Sequence, residues 1–250
     1  MILFYDTETT GKYDFKRKPD HPSQPYLVQY AGLLMDPDTQ RLIQALVAVV
    51  NPGVSIPKKA TAIHGISTEM AQKFGTSQQV IVEWHTGAMN DASLAVAHNI
   101  DFDRHIMETA ACRENVKVPE SVKEFCTMKA GTNLCKLPGL YGYKWPKLEE
   151  LHHHLFHESF QAHDALADVQ ACARCYFKMV GAKKQKPETE AKAEPESRIK
   201  IYSATCPLCG SPNTAAESVP GHVGAKYQCG CEVGHDLKVI IPCAAGVPKP

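Results

Sequence analysis

The chain has 250 residues, 27 basic against 27 acidic side chains, and a formal net charge of zero. With 44% hydrophobic residues it holds enough apolar material for one sizeable core and a small second unit. Balanced charge argues against a purely electrostatic polyanion binder. No apolar run approaches the ~20 residues of a membrane span, and the start lacks a basic signal-peptide region, so ten cysteines argue against a secreted disulfide framework. The expectation is a cytoplasmic protein with no membrane partner.

Residues 2–5 are apolar and β-prone, predicting a buried strand. A loop rich in Lys, Arg and Pro, residues 12–25, leads to two further predicted strands, 26–35 and 42–50. The turn residues Asp36, Pro37, Asp38 and Thr39 join them. Residues 67–74 and 77–91 predict helices, with Ser77 as N-cap of the second. A short strand at 94–98, a helix at 102–112 and a strand at 125–127 follow. Helices at 145–156 and 164–180 close the domain. Three leading strands and then alternating helices and strands predict an α/β fold with a mixed sheet and helices on both faces. At 181–198 the composition becomes Lys, Glu, Ala, Pro and Gln, which predicts a charged flexible linker. Residues 199–250 form a short Cys- and Gly-rich module.

Asp6 and Glu8 alternate along the first strand and share a face. Two anions side by side repel unless something positive lies between them, and a divalent metal ion is the usual answer. Thr9, Thr10 and Gly11 supply turn chemistry beyond the pair. A buried strand ending at His98 and Asn99 leads to Asp101 and Asp103, and the residues alone leave open which acid faces the pair. Further on, Asp164 suits an N-cap, placing Asp168 one turn into a helix and His163 on the loop before it. A base on a loop beside a carboxylate on a rigid helix is a useful pairing. His64 lies in a loop entering a helix. His152, His153, His154 and His157 are expected on a solvated helix face, although His153 and His157 share a side. Cys112, Cys126, Cys135, Cys172, Cys175 and Cys243 show no joint ligand pattern and are expected as small core or surface residues.

Together these segments resemble the DEDDh (DnaQ-like) 3′–5′ exonucleases of the ribonuclease H-like superfamily. Asp6-Thr7-Glu8-Thr9-Thr10-Gly11 matches the first motif of that family. His98-Asn99-x-x-Phe102-Asp103 matches the second and selects Asp103 over Asp101. His163-Asp164-Ala165-x-Ala167-Asp168 matches the third, and Ile63-His64-Gly65-Ile66 matches a recurrent loop. The resemblance implies a ribonuclease H-like mixed sheet over residues 1–180 and two Mg²⁺ or Mn²⁺ ions held by Asp6, Glu8, Asp103 and Asp168. It also implies His163 as general base and hydrolysis of DNA, above all single-stranded ends, to nucleoside 5′-monophosphates. Thr9, Thr10, His64, His98 and Asn99 are expected near substrate, the last two also as residues that fix the loop, and Asp101 as an exposed loop acid. Within the same class, the chain could serve a DNA polymerase as its proofreading subunit or act on RNA. From a different class comes a silent nucleic-acid-binding protein, against which the intact set of four carboxylates and one histidine speaks.

In the tail, Cys206-Pro207-Leu208-Cys209-Gly210 and Cys229-Gly230-Cys231 have close to structural-zinc spacing and resemble a zinc ribbon. Four thiolates complete a tetrahedron without His235, and one structural Zn²⁺ would supply most of the folding energy of so small a unit. Lys226, Tyr227 and Lys238 point to nucleic-acid engagement, with docking to a protein partner as the competing role.

Overall fold

The computed structural model describes residues 1–119, 122–160 and 162–181, and the backbone of two short strands, Glu232–Val233 and Ile240–Ile241. Cys206, Cys209, Cys229, Cys231 and the predicted linker beyond Gly181 lie outside the described residues.

Five strands build the main sheet: β1 (Ile2–Thr9), β2 (Leu27–Met35), β3 (Leu42–Val49), β4 (Leu94–Ala97) and β5 (Lys123–Cys126). Their order is β3-β2-β1-β4-β5. The β1–β2 and β2–β3 pairs are antiparallel, while β1–β4 and β4–β5 are parallel. This is the mixed sheet that the sequence predicts. Its parallel half brings the C-terminal ends of β1 and β4 to one edge, where crevices form in open α/β sheets.

Alternation along β1 sorts its side chains between two layers. Leu3 and Tyr5 pack with Ile81 and Val82 of helix α3 (Gln78–Asp91) and with Ile106 and Met107 of helix α4 (Ile100–Arg113). For this numbering, α1 is Lys58–His64 and α2 is Thr68–Phe74. Ile2 and Phe4 face the opposite layer, formed by α5 (Thr127–Cys135), α6 (Leu148–Phe156) and α7 (Ala165–Val180). Phe4 meets Tyr176 and Phe177 of α7 at ring-centroid distances of 5.4 Å. Leu3 and Phe4 are fully buried, each contributing about 1.5–3 kcal/mol. The same alternation turns Asp6 and Glu8 toward the α7 layer. Gly32 on β2 lets α3 approach, since a Cβ there would collide with the Trp84 ring and the Tyr30 hydroxyl.

Several boundaries differ from the sequence reading, each for a physical reason. The loop predicted around His64 is the end of α1, closed by Gly65 in the left-handed region at φ 77°. Ser67 caps α2 by accepting from the Met70 N–H at 3.2 Å. Ser77 stands at the N-cap position of α3 on extended backbone but makes no side-chain cap bond. Thr127, expected in a strand, begins α5. Gly131 disguises that helix in the sequence, because glycine costs a helix interior about 1 kcal/mol. Here it admits α6, and a Cβ at Gly131 would come within 2.8 Å of Leu151. Residues 145–147 precede α6 rather than belonging to it, and follow a small hairpin of β6 (Pro138–Gly139) and β7 (Gly142–Tyr143).

The histidine cluster divides. His152 is buried rather than solvated: its Nδ1 lies 3.3 Å from the Glu158 carbonyl and its Nε2 3.1 Å from Arg174. His153 and His154 are exposed, and His157 is the left-handed C-cap of α6. Cys172 and Cys175 are buried, Cys112 is exposed, and Cys126 and Cys135 are half-buried, all free thiols. Among the described residues no helix is long and apolar enough to cross a membrane.

Candidate active site

The end of β1 supplies the first two acids. Asp6 and Glu8 point toward the α7 layer, and the register of β1 against β2 slips between Glu8 and Thr9. Such a bulge bends a strand and re-aims its side chains. Thr7 faces the other layer and reaches α4. Its backbone N–H and its hydroxyl both donate to Asp103 Oδ1, at 3.1 and 2.7 Å. Asp103 is buried in the first turn of α4 and is held beside the β1 pair. Asp101 turns away and pairs with Lys129 and Arg104. The lysine holds its carboxyl below the usual range.

The fourth acid comes from α7. Asp164 caps this helix by accepting from the Leu166 and Ala167 N–H groups, both at 3.1 Å. Asp168 returns the favour one turn on: its Oδ2 accepts from the His163 N–H at 3.0 Å. That bond holds His163 on left-handed backbone, φ 69°, with an exposed ring at the mouth of the site. One side-chain ligand atom each from Glu8, His163 and Asp168 lie within 4.8 Å of one another. Gln29 secures the assembly from β2, where it pairs with Glu8 across the strands. Its Oε1 accepts from Ala165 N–H at 3.2 Å and its Nε2 donates to Asp164 Oδ2 at 3.4 Å.

Asp6, Glu8, Asp103, His163 and Asp168 thus line one open cleft of about 450 Å³. Burial and then its carboxylate neighbours push Asp6 well above the usual range. The same two causes, burial first, push Glu8 to about 7. Burial raises Asp103 to about 7 against the two Thr7 hydrogen bonds, which pull it down. Burial raises Asp168 to about 6 against the bond from His163 N–H.

These residues fit divalent cations. Hard, hydrated ions prefer oxygen ligands, and Asp6, Glu8, Asp103 and Asp168 bring four carboxylates to the cleft, with Glu149 also on its wall. Asp168 Oδ1 is buried with no hydrogen-bond partner among the described residues. Such an orphaned oxygen costs stability unless something positive meets it.

The remaining sequence-named residues take other places. Thr9 donates its hydroxyl to the Gly11 carbonyl at 2.6 Å, and Thr10 Oγ1 accepts from Tyr26 N–H at 2.9 Å, so both hydroxyls shape the turn. His64 is buried, and its Nδ1 accepts from the Ile66 N–H at 3.1 Å. Burial holds it below the usual imidazole range. His98 lines the cleft and braces it, with Nδ1 3.0 Å from the Thr127 hydroxyl and Nε2 3.0 Å from the Pro146 carbonyl. Burial lowers it to about 4. Asn99 is exposed on the cleft wall at the start of α4.

Gln29, Trp145 and Lys147 also stand at the site without belonging to any of the sequence motifs. Gln29 is a lone amide inside the apolar run of β2, a signal that periodicity overlooks. Trp145 and Lys147 also line the cleft, within an alternation of aromatic and basic residues from Tyr143 to Lys147.

Known proteins resemble this chain in sequence and in fold. The sequence pattern of the exonuclease family RNase T matches residues 3–176. An uncharacterized exonuclease, CP81, of Escherichia phage 186 is 34% identical over 180 residues, which is 67% of this chain and 82% of the phage protein. E. coli exonuclease I in complex with a dT13 oligonucleotide is similar in fold, with a TM-score of 0.57 at 20% identity over 72% of this chain. A zinc-bound exonuclease I complex with single-stranded DNA, from E. coli, gives a TM-score of 0.55 at 21% identity, again over 72% of this chain. The match spans only 40% of each exonuclease I chain. The chain belongs to the RNase T family of exonucleases.

Proposed function

We propose that the protein is a metal-dependent 3′–5′ exonuclease. On this reading it removes nucleoside 5′-monophosphates from DNA, preferentially from unpaired ends. The observation that carries this is the meeting of Asp6, Glu8, Asp103 and Asp168 in one cleft, with His163 at its mouth. These carboxylates would hold two Mg²⁺ or Mn²⁺ ions, which would supply positive charge to offset the charge developing on the phosphate.

The residues divide the remaining work. Thr7 fixes Asp103 by two hydrogen bonds, so this carboxylate does not swing away when substrate arrives. Asp168 fixes the backbone of His163 while leaving the imidazole exposed. From there the ring accepts a proton from the attacking water, the general-base role that an exposed imidazole beside the carboxylates can fill. His98 and Thr127 hold the Pro146 wall of the cleft in place. In the tail, Cys206, Cys209, Cys229 and Cys231 would bind one structural Zn²⁺. Metal analysis of the full chain should then find one zinc per molecule, lost on Cys206→Ser.

The test uses end-labelled single-stranded DNA, duplex DNA and RNA with Mg²⁺, and EDTA as control. Asp6→Ala and Asp103→Ala are expected to abolish hydrolysis while circular dichroism shows an intact fold. Normal turnover by either purified variant would sink the assignment. Label retained at the 5′ end on steadily shortening strands supports the 3′–5′ direction.

A further inference from the structure

Directly before α6, four large apolar side chains lie open to solvent within six positions. Leu140 is 94% exposed, Tyr141 103%, Tyr143 52% and Trp145 62%. Soluble chains seldom leave such a patch without a use. Its base is well fastened. Lys144 N–H donates to the Leu137 carbonyl at 2.9 Å, His98 Nε2 lies 3.0 Å from the Pro146 carbonyl, and Lys147 N–H donates to Glu150 Oε2 at 2.8 Å. Two residue pairs join β6 to β7 around the turn at Leu140 and Tyr141, and Gly142, the first residue of β7, takes φ 124°, a backbone that suits glycine alone. The segment is thus tied down at its base, and the rings project into solvent.

The patch runs into the catalytic cleft, because Trp145, Pro146 and Lys147 line the same cavity as Asp6 and His163. Charge there works against a polyanion. Among the described residues lining the cleft, Lys147 is the only lysine or arginine, while Asp6, Glu8, Asp103, Glu149 and Asp168 are acids. The nearby Lys144 ammonium is already paired with Glu150. Cations held by the carboxylates would draw in the scissile phosphate, but beyond it attraction must come from contacts other than charge. Base-on-aromatic stacking contributes about 1–3 kcal/mol per base and needs an uncovered base face. Bases inside a duplex have both faces covered, and freeing one costs a few kcal/mol.

We propose that the segment 137–147 is a stacking platform for the unpaired terminal nucleotides of a DNA strand, with Trp145 against the bases nearest the cleft and Lys147 against their phosphates. This deepens the exonuclease reading and rests on it. The platform makes strand separation, rather than base identity, the property that selects substrate.

The experiment measures binding of a fluorescent oligothymidylate to the full chain carrying Asp6→Asn, which blocks turnover. Trp145→Ala in that background is expected to weaken binding roughly 5- to 150-fold, the range that one stacked base implies. Trp145→Phe, which keeps an aromatic face, should bind within about 3-fold of the parent. Tyr141→Ser, at the fully exposed tip, should give a smaller loss. Unaltered melting and circular dichroism identify the losses as losses of binding. Parent-like affinity in both Trp145→Ala and Tyr141→Ser overturns the proposal. So does an equal loss on blunt duplex DNA, or capture of a protein partner by this face in preference to the oligonucleotide. An RNA strand bound more tightly than the DNA would overturn the choice of sugar. The otherwise wild-type chain is assayed for hydrolysis alongside: cleavage left unimpaired by Trp145→Ala removes only the platform, whereas no cleavage of any strand removes the exonuclease reading itself.

Discussion

Asp6, Glu8, Asp103 and Asp168 crowd negative charge into a partly dry cleft, so each opposes the ionisation of the others. Like charges gathered for function usually cost stability. Asp6→Asn is therefore expected to stop turnover while raising the melting temperature in EDTA by about 2–4 °C, the shift that ~1 kcal/mol produces in a domain of this size. Calorimetry with and without Mg²⁺ checks it, and Mg²⁺ should stabilise the parent more than the variant. His163 separates two roles. If its ring takes the proton from water, His163→Ala lowers kcat by about 10²–10⁴-fold and leaves the Mg²⁺-induced melting shift intact. A vanished shift would make the ring a ligand instead, which its distance from Glu8 and Asp168 permits. The choice between Asp101 and Asp103 also belongs to this scale. Both follow the same strand, and residue type does not separate them. The helix begins at Ile100, so the two acids lie roughly 200° apart around its axis and must face opposite ways.

Among the elements, α7 carries the last part of the site, and its start is fastened from two directions. Asp164 caps it internally, and Gln29 grips Asp164 and Ala165 from β2. Gln29→Leu keeps the bulk but removes both bonds. It should cost about 1–3 kcal/mol, because the Ala165 N–H is left unpaired, and should lower kcat more than it raises KM. Chemical denaturation and steady-state kinetics measure the two effects. An unchanged kcat would show that the Asp164 cap positions His163 and Asp168 unaided. The Asp164 cap was legible in the sequence because capping is local. The Gln29 bond was not, since it joins residues 135 positions apart. Helices α1 and α5 escaped for a related reason. They are short, and α5 holds a glycine whose purpose appears only when α6 packs against it.

For the whole molecule, zero net charge and a cleft with one lysine among its described lining leave no net positive charge to draw in DNA. Single-strand affinity should then depend weakly on salt, with a log–log slope shallower than about −3, since each phosphate contact contributes about −0.7. A titration across salt concentrations tests this. A slope near −7 would assign most of the affinity to a basic surface, for which the loop at residues 12–25 is the first place to look.

By itself the sequence determined the strands and the longer helices, because apolar periodicity and capping are written within a few neighbouring residues. Motif spacing also carried the family and the five residues expected to do the chemistry. Only the tertiary structure decided how they meet. Thr7 holds Asp103 across 96 positions, Gln29 holds the start of α7, and the aromatic stretch before α6 opens onto the cleft. Each depends on which layers the sheet brings together, and that is set by packing among distant residues rather than by local pattern.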